Sequence, residues 1–184
     1  MSRLPELTRD QIAPGHRAIW DRIAGTRGGV WGPYQPLMHV PQLAERVAAV
    51  GEYLRFQGLL SGSDRELAIL ASAREAGSQY EWAIHEPFAR AEGTSEAAIE
   101  TVRSKGLLDK LTEREKLIVE VVRSLCRNHS ISDETFERAI TKLGREHTVE
   151  LIGIVGFYNL LALVLHGFAV PLPEGANSGF TDPE

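Results

Sequence analysis

Glu81 and His85, one helical turn apart, are the strongest candidates for chemistry in this sequence. They lie in the stretch SQYEWAIHEPF, residues 78–88, where the apolar pattern predicts a helix. Residues four apart share one face of a helix, so the carboxyl and imidazole groups should be neighbours. On a helical wheel apolar residues bracket both of them, and the charged residues point elsewhere. A carboxyl–imidazole pair sheltered in this way can donate and accept protons near neutral pH.

Three interpretations of this pair compete. A solvent-exposed pair at this spacing is common and contributes only about 0.2–0.5 kcal/mol. A metal site needs a third and usually a fourth ligand. His147 and His166 lie on the last helix, too far apart to join one site easily, and the HExxH motif is absent. We therefore expect no metal and favour an acid–base pair at the wall of a pocket.

An all-helical scaffold is expected to position the pair. Helical periodicity dominates and strand alternation is almost absent, which predicts an all-α fold of seven or eight helices. The chain has 184 residues, 43% of them hydrophobic, enough for one domain with a sizeable core. Residues 1–40 should form an N-terminal helix and a Gly/Pro-rich loop packed on the core. Residues 41–170 form the main helical domain, and residues 171–184 a C-terminal tail.

Local signals place several helix boundaries. The stretch PQLAERVAAVGEYLRFQGLL predicts an amphipathic helix, and Pro87 should bend or break the helix of the pair just after His85. The apolar face of the first of these helices should contain Leu43, Val47, Val50 and Leu54. Helix starts are predicted at the capping residues Ser63 or Asp64, Thr94, Thr112 and Ser132.

The stretch LIGIVGFYNLLALVLHGFAV, residues 151–170, is long and apolar enough to resemble a membrane span. It contains Asn159 and His166 and lacks basic flanks, so we expect a fully buried core helix and no membrane. A helix that is apolar on nearly all sides needs more cover than a small monomer supplies. This favours a homo-oligomer.

The loop at residues 25–41 is rich in Gly and Pro but also contains Trp31 and Tyr34. Apolar loops of this length usually pack over something, often a binding site. No GxGxxG spacing is present and no strand precedes the loop, so a phosphate-binding role is not favoured. We expect the loop to close the pocket and set its specificity.

Composition excludes several classes of partner and compartment. The net charge is −5 and no segment concentrates Lys and Arg, so nucleic acid is not an expected partner. The N-terminal stretch MSRLPELTRDQ has no apolar core region and is not a secretory signal. The single cysteine, Cys126, excludes an intramolecular disulfide and favours a reducing cytoplasm.

The stretch SDRELAILASAREAGSQYEWAIHEPFARAEGTSEAAIE resembles the carboxymuconolactone decarboxylase and alkyl hydroperoxidase D-like family. The shared pattern is an Arg-Glu-Leu helix start, a stretch of small residues, a helix ending in His, and then a glycine and an acidic helix cap. The resemblance covers about residues 40–110. The closing stretch ELIGIVGFYNLL, with Tyr158, is similar to the last core helix of the family. The resemblance implies an all-helical trimer or hexamer with sites near subunit contacts.

One departure from the family pattern bears on activity. Peroxidase members carry Cys-x-x-Cys-x-x-x-His, where this chain has Ser78, Glu81 and His85. Without the two thiols, thiol peroxidase activity is not expected. The remaining Glu-x-x-x-His resembles the decarboxylase branch. Glu66 matches a proton-relay glutamate of the peroxidase branch and is either a second relay acid or only the partner of Arg65.

These observations predict a cofactor-free acid–base enzyme of the decarboxylase type, acting on a small carboxylated lactone or enolisable acid. His85 would deliver the proton, and Glu81 would orient its imidazole. Arg65 could hold a substrate carboxylate or simply pair with Glu66, and Ser78 could bond the substrate or only cap the helix. The aromatic residues expected around the substrate are Trp31, Tyr34 and Trp82.

Two other functions fit the same residues. The protein could be a non-catalytic helical module that binds a ligand or serves as a scaffold after losing the peroxidase thiols. It could also be an isomerase or hydrolase built on the same pair, which release of carbon dioxide would distinguish from a decarboxylase.

Overall fold

The computed structural model describes residues 2–176 and 178–181, and in this part of the chain every regular element is helical. This confirms the predicted all-α fold. The described residues form nine α-helices, because the loop before residue 41 contains a short helix of its own. Residues 177 and 182–184 of the predicted tail lie outside the described residues. The helices are α1 Arg17–Arg27, α2 Tyr34–Leu37, α3 Pro41–Phe56, α4 Gly62–Glu75, α5 Gln79–Ala91, α6 Glu96–Arg103, α7 Glu113–Asn128, α8 Asp133–Leu143 and α9 Arg145–Gly167.

Helix α4 is the centre of the fold. It packs against α5, α6, α7 and α9, and residues 66–74 are all buried. Three of these residues, Ala68, Ala71 and Ala73, are small enough to let neighbouring helices approach closely. Ser61 caps the helix by accepting a hydrogen bond from the Asp64 backbone amide at 3.3 Å, two residues before the predicted cap.

Helix α5 carries the acid–base pair. Ser78 caps it and accepts a hydrogen bond from the Glu81 amide. The helix does not break at Pro87 but continues to Ala91, so the predicted break is wrong. Trp82 and Ala89, on either side of the proline, are both fully buried. Their packing outweighs the one backbone hydrogen bond that proline removes.

The caps of the later helices follow the sequence closely. The predicted caps of α7 and α8, Thr112 and Ser132, are confirmed, and Thr112 forms a capping box with Glu115. Helix α6 is capped by Ser95 rather than by the predicted Thr94. The Thr94 hydroxyl instead donates a hydrogen bond to the Ser63 carbonyl at 3.1 Å, which ties this turn to α4.

Helices α3 and α9 depart from the predicted burial. Of the predicted apolar face of α3, Val47 and Leu54 are buried, whereas Leu43 and Val50 are exposed. Helix α9 is not fully buried, since one stripe along it reaches solvent. The two helices border an apolar groove of about 420 Å³. The exposed stripe of α9 contains Val149, Ile152, Leu160 and Leu163.

Helix α9 is also long and apolar enough to cross a membrane by length and composition alone. Of its most apolar window, 56% is buried inside the protein. Core helices of soluble proteins meet the same criteria, so this helix is weak evidence for a membrane span.

Gly179 and Phe180 of the C-terminal tail pack against α5. Phe180 is buried, stacks edge-on against Trp82 and has its ring centroid 4.2 Å from the Arg74 guanidinium carbon. The Gly179 amide donates to the Gln79 side-chain oxygen at 3.0 Å. These contacts cover a part of α5 that lies outside the cavity described below.

Candidate active site

A cavity of about 470 Å³ lies between the N-terminal segment and helices α3, α5 and α9. His85, Glu81 and Tyr34 all touch it, so the predicted pair and the N-terminal loop meet at one space. Most of the wall is aromatic or aliphatic. The wall residues are Thr26, Arg27, Trp31, Pro33, Tyr34, Gly51, Arg55, Phe56, Tyr80, Glu81, Ile84, His85, Phe88, Phe157, Tyr158 and Leu161.

His85 is almost fully buried at the inner wall and is held on both sides of its ring. Its Nδ1 lies 2.7 Å from Glu66 Oε2, and its Nε2 lies 3.3 Å from the Tyr158 hydroxyl. Glu81 Oε2 is 3.7 Å from the same Nε2, beyond hydrogen-bond distance. The tyrosine ring packs edge-on against the imidazole, with ring centroids 5.1 Å apart. The imidazole orientation is therefore fixed by α4 and α9 as well as by α5.

Glu66 is the carboxylate that orients the imidazole. Burial acts to raise the pKa of Glu66, but the hydrogen bond and charge of His85, together with Arg65, outweigh it and lower that pKa. Glu66 is then ionised at neutral pH and can only accept hydrogen bonds. Nδ1 of His85 must therefore carry a proton, which it donates to Glu66. This leaves Nε2 as the reactive nitrogen on the side of Glu81 and Tyr158.

The pKa of Glu81 is shifted in the opposite direction from that of Glu66. Burial raises its pKa, and the nearby His85 and Arg55 offset this only in part. Tyr158 also has its pKa raised well above the usual value, chiefly by burial and then by the charge of Glu81. One carboxyl group of the site thus favours the ionised form and the other favours the neutral form. The ionised carboxyl group suits a role in orienting the imidazole, and the neutral carboxyl group suits a role as a proton donor.

The N-terminal loop closes one side of the cavity. Tyr34 is buried, with the Arg27 guanidinium carbon 4.5 Å from its ring centroid, whereas Trp31 is 61% exposed. Gly32 has a positive φ of 57°, and a Cβ there would lie 2.7 Å from the Tyr80 ring of α5. Only glycine permits both the backbone conformation and this close approach. The loop therefore packs directly against α5, the helix that carries the acid–base pair.

Arg55 and two phenylalanines line the cavity and were not predicted as site residues. The Arg55 guanidinium carbon lies 5.2 Å from the ring centroids of both Phe56 and Phe88. Both rings are about half exposed, which places this group at the cavity mouth. No short motif marks Arg55 in the sequence, since only the packing of α3 beside α5 brings it to the cavity.

Three residues predicted to bind substrate do not line the cavity. Arg65 Nε lies 3.2 Å from Glu66 Oε1, and its Nη2 lies 3.5 Å from Glu92 Oε1, so its donors are already engaged. Ser78 is buried as the cap of α5. Trp82 points to the far side of α5, where its indole N–H donates to Glu86 at 2.7 Å. Glu66 does not line the cavity either and acts only through the ring of His85.

Among residues 2–176 and 178–181, no group of three or more His, Cys, Asp or Glu side chains has the arrangement of a metal site. The arrangement that does exist suits proton transfer. Nε2 of an oriented imidazole, a buried carboxyl group with a raised pKa and a phenol converge at the inner wall of one cavity. They can deliver a proton to, or remove one from, a small molecule held there.

Fold and site together define an all-helical protein with a buried carboxyl–imidazole pair at the wall of a small-molecule cavity. Residues 41–124 match the carboxymuconolactone decarboxylase family, which confirms the predicted resemblance. The match includes Glu66, Glu81, His85 and Arg55 but neither the N-terminal loop nor helix α9. None of the curated protein sequences matches the chain.

Solved structures confirm the fold over nearly the whole chain. An alkylhydroperoxidase AhpD core from Ralstonia eutropha JMP134, a peroxidase-related protein, has a TM-score of 0.77 at 18% identity, covering 94% of this chain and 93% of that one. A peroxidase-related protein from Silicibacter sp. TM1040 has a TM-score of 0.72 at 13% identity, covering 97% of this chain and 93% of that one. A protein of unknown function from Agrobacterium tumefaciens has a TM-score of 0.67 at 21% identity, covering 75% of this chain and 95% of that one. Similarity at this identity establishes the fold alone.

Proposed function

We propose that this protein is a cofactor-free acid–base enzyme of the carboxymuconolactone decarboxylase type, acting on a small carboxylated lactone or enolisable acid. The observation that carries the proposal is the single cavity touched by His85, Glu81 and Tyr34. Its volume, about 470 Å³, is within the range of small-molecule sites. Its wall is largely apolar, with a few convergent polar groups, as in most sites of this class.

The proposed reaction breaks the carbon–carbon bond to the departing carboxylate. The electron pair left behind is delocalised into the conjugated carbonyl of the substrate as carbon dioxide leaves. A proton from the site then adds to carbon, so the product gains one hydrogen in place of the carboxylate. The apolar wall favours the step, because a charged carboxylate loses its hydration there and carbon dioxide needs none.

The geometry divides the roles differently from the sequence-based expectation. Glu66, at 2.7 Å from Nδ1, orients the imidazole, the role predicted for Glu81. Glu81 faces Nε2, and its raised pKa suits a second proton donor. His85 keeps its predicted role, with Nε2 as the atom that exchanges the proton. The Tyr158 hydroxyl, 3.3 Å from Nε2, donates its hydrogen there when Nε2 carries no proton.

A thiol peroxidase mechanism does not fit these residues, although two of the similar structures are of peroxidase-related proteins. The chain contains one cysteine, and Cys126 does not line the cavity. Burial raises the pKa of its thiol, and its Sγ lies 3.3 Å from the Asn159 side-chain amide. A half-buried thiol with a raised pKa is a poor nucleophile. We propose that Cys126 is structural, in a protein of the reducing cytoplasm.

The test is an NMR survey of carboxylated lactones and enolisable acids incubated with the protein in D₂O. A decarboxylase releases carbon dioxide and places deuterium on carbon. Deuterium exchange or double-bond migration without carbon dioxide identifies an isomerase, and ring opening identifies a hydrolase. Saturation transfer to a ligand that stays unchanged identifies a non-catalytic binding module. Each of these other results contradicts the decarboxylase proposal.

A chelator separates acid–base chemistry from metal chemistry in the same survey. Because no described cluster suits a metal, turnover should survive EDTA unchanged. Activity that disappears with EDTA and returns with zinc or manganese would contradict the cofactor-free mechanism.

We also propose that the protein is a homo-oligomer, a trimer or hexamer, assembled through the exposed apolar stripe of α9 and the adjacent groove. Leu163 on this stripe is 73% exposed, and exposed apolar patches of this kind commonly mark protein interfaces. Light scattering should give a trimer or hexamer for the wild type and a smaller species for Leu163→Glu. Leu107→Glu, at an 84% exposed site on another surface, is the matched control. A monomeric wild type would contradict this assembly.

A further inference from the structure

We propose that Arg55, at the cavity mouth, binds the acid group of the substrate and makes the site selective for small anionic compounds over their neutral analogues. This inference rests on the proposed function only in taking the same cavity as the ligand site. It assigns the carboxylate contact to Arg55 and not to Arg65, whose donors are engaged by Glu66 and Glu92.

The N–H donors of Arg55 are available to a ligand. It makes no hydrogen bond or ion pair with any residue in the described part of the chain. Arg27, the other arginine in the wall, donates to the Thr26 hydroxyl at 2.6 Å and to the Ala48 carbonyl at 2.9 Å. A guanidinium carries five N–H donors in a planar fork that matches a carboxylate. Arg55 is therefore the wall arginine available to a ligand.

The surroundings of Arg55 prepare it for an anion. Phe56 and Phe88 hold the guanidinium between them, each ring centroid 5.2 Å from its central carbon. Contacts with aromatic faces orient the cation without using its N–H donors. Apolar neighbours also reduce screening by water, which strengthens an ion pair formed there.

Phe88 links this anchor to the reacting groups. Its ring contacts the Arg55 guanidinium on one side and lies 6.0 Å, centroid to centroid, from the His85 ring on the other. A ligand whose acid group pairs with Arg55 therefore lies along Phe88. Its body then extends toward Nε2 of His85. In a decarboxylation the group held by Arg55 is therefore a second acid group, because the carbon that loses carbon dioxide must lie beside Nε2 of His85.

The charges of the cavity wall also favour an anionic ligand. Arg27 and Arg55 are its permanent cations, and Glu81 is its only carboxyl group. Burial raises the pKa of Glu81 and favours its neutral form, so the wall carries excess positive charge. An anionic ligand offsets that excess, and by pairing with Arg55 it also removes a cation that opposes the neutral form of Glu81.

The test compares the binding of phenylacetate with that of phenylacetamide, a neutral analogue of the same shape, by calorimetry or ligand-observed NMR. Wild-type protein should bind the acid about 10- to 100-fold more tightly, the usual size of a charge-assisted hydrogen-bonded contact. Arg55→Met should abolish this preference, and Arg55→Lys should restore only part of it because lysine lacks the planar fork. Arg22→Met, which removes an exposed arginine of α1 paired with Glu45, should leave the preference intact.

Equal affinity for acid and amide in the wild type overturns the inference, as does an unchanged preference in Arg55→Met with a native circular dichroism spectrum. Failure of phenylacetate, cyclohexanecarboxylate and 2-furoate all to bind at millimolar concentration overturns it too. The outcomes for the proposed function are separate. Acid binding that depends on Arg55 without any turnover rejects the enzyme but keeps the anchor, whereas turnover by His85 with normal KM in Arg55→Met rejects only the anchor.

Discussion

The segment that matches the family, residues 41–124, and the segments that flank it contribute different parts of the cavity. The matched segment supplies Glu66, Glu81 and His85, the carboxyl and imidazole groups of the candidate site. The flanks supply much of the remaining wall, with Trp31 and Tyr34 from the N-terminal loop, and aromatic residues from α9. Under the proposed function, the carboxyl and imidazole groups of the site lie in the matched segment, and the N-terminal loop contributes to the shape of the cavity. Substitutions of Glu66 or His85 should then lower kcat, and substitutions in the loop should change KM.

Replacing His85 should have the largest effect on activity. His85→Asn keeps a polar side chain but removes the imidazole, and positioned acid–base groups contribute about 10²- to 10⁴-fold to rate. We expect kcat to fall by that amount in steady-state assays of carbon dioxide release. His129→Asn is the matched control, since His129 is an exposed helix cap with φ 57°, a conformation that asparagine adopts readily. Similar rates for both variants would remove His85 from the mechanism.

Glu66→Gln should lower kcat by roughly 10- to 100-fold, as is common when a group that orients a histidine is removed. Glutamine can donate as well as accept a hydrogen bond, so it no longer enforces the proton on Nδ1. The nitrogen NMR signals of the His85 ring should therefore show a mixture of its two tautomers, a change that a purely structural defect would not produce. Glu92→Gln also removes a carboxylate beside Arg65 but has no contact with His85, so its ring signals should match those of the wild type.

Trp31→Ala tests the contribution of the N-terminal flanking segment to substrate binding. Trp31 is exposed at the cavity wall, so its removal should not unfold the protein but should weaken substrate contact. We expect KM to rise about tenfold, equivalent to roughly 1.4 kcal/mol, with kcat nearly unchanged. Leu107→Ala removes an exposed apolar side chain outside the cavity and should change neither constant. A fall in kcat without a change in KM would show that the loop takes part in the chemical step.

The smallest expected effect concerns stability rather than activity. The pKa of Glu81 is raised in the folded state, so its contribution to stability is complete below the unfolded value of about 4.3 and is lost as pH rises through the folded value. Glutamine cannot ionise. Thermal unfolding of Glu81→Gln across a pH series should therefore show a smaller loss of stability than the wild type as pH increases. Parallel curves for the two proteins would mean that Glu81 is not buried as described.

Much of the scaffold could be predicted from the sequence because the signals are local. Periodicity predicts the helical class, and the hydroxyl caps of α7 and α8 lie at the predicted Thr112 and Ser132. The i,i+4 relation between Glu81 and His85 is also local. Glu66 is different, because nineteen residues separate it from His85 and only the family resemblance suggested a role.

The errors have physical causes that a single sequence does not reveal. Both sides of α5 are apolar, so the pattern could not distinguish the side facing the cavity from the side where Trp82 meets Phe180. In α3 the small residues Ala44 and Gly51 face the core, where neighbouring helices come close, and the larger Leu43 and Val50 are left outside. Arg55 is surrounded by aromatic residues from two helices, and this contact depends on tertiary packing alone.

Deuterium placement in the product tests the central claim most directly. The wild type and His85→Asn would be incubated in D₂O with the acid or lactone that releases carbon dioxide fastest, and the product followed by NMR. The account predicts one deuterium on the carbon that lost the carboxylate. The deuterated product should form more slowly with His85→Asn than with the wild type. Deuterated product appearing at the same rate in His85→Asn would contradict it.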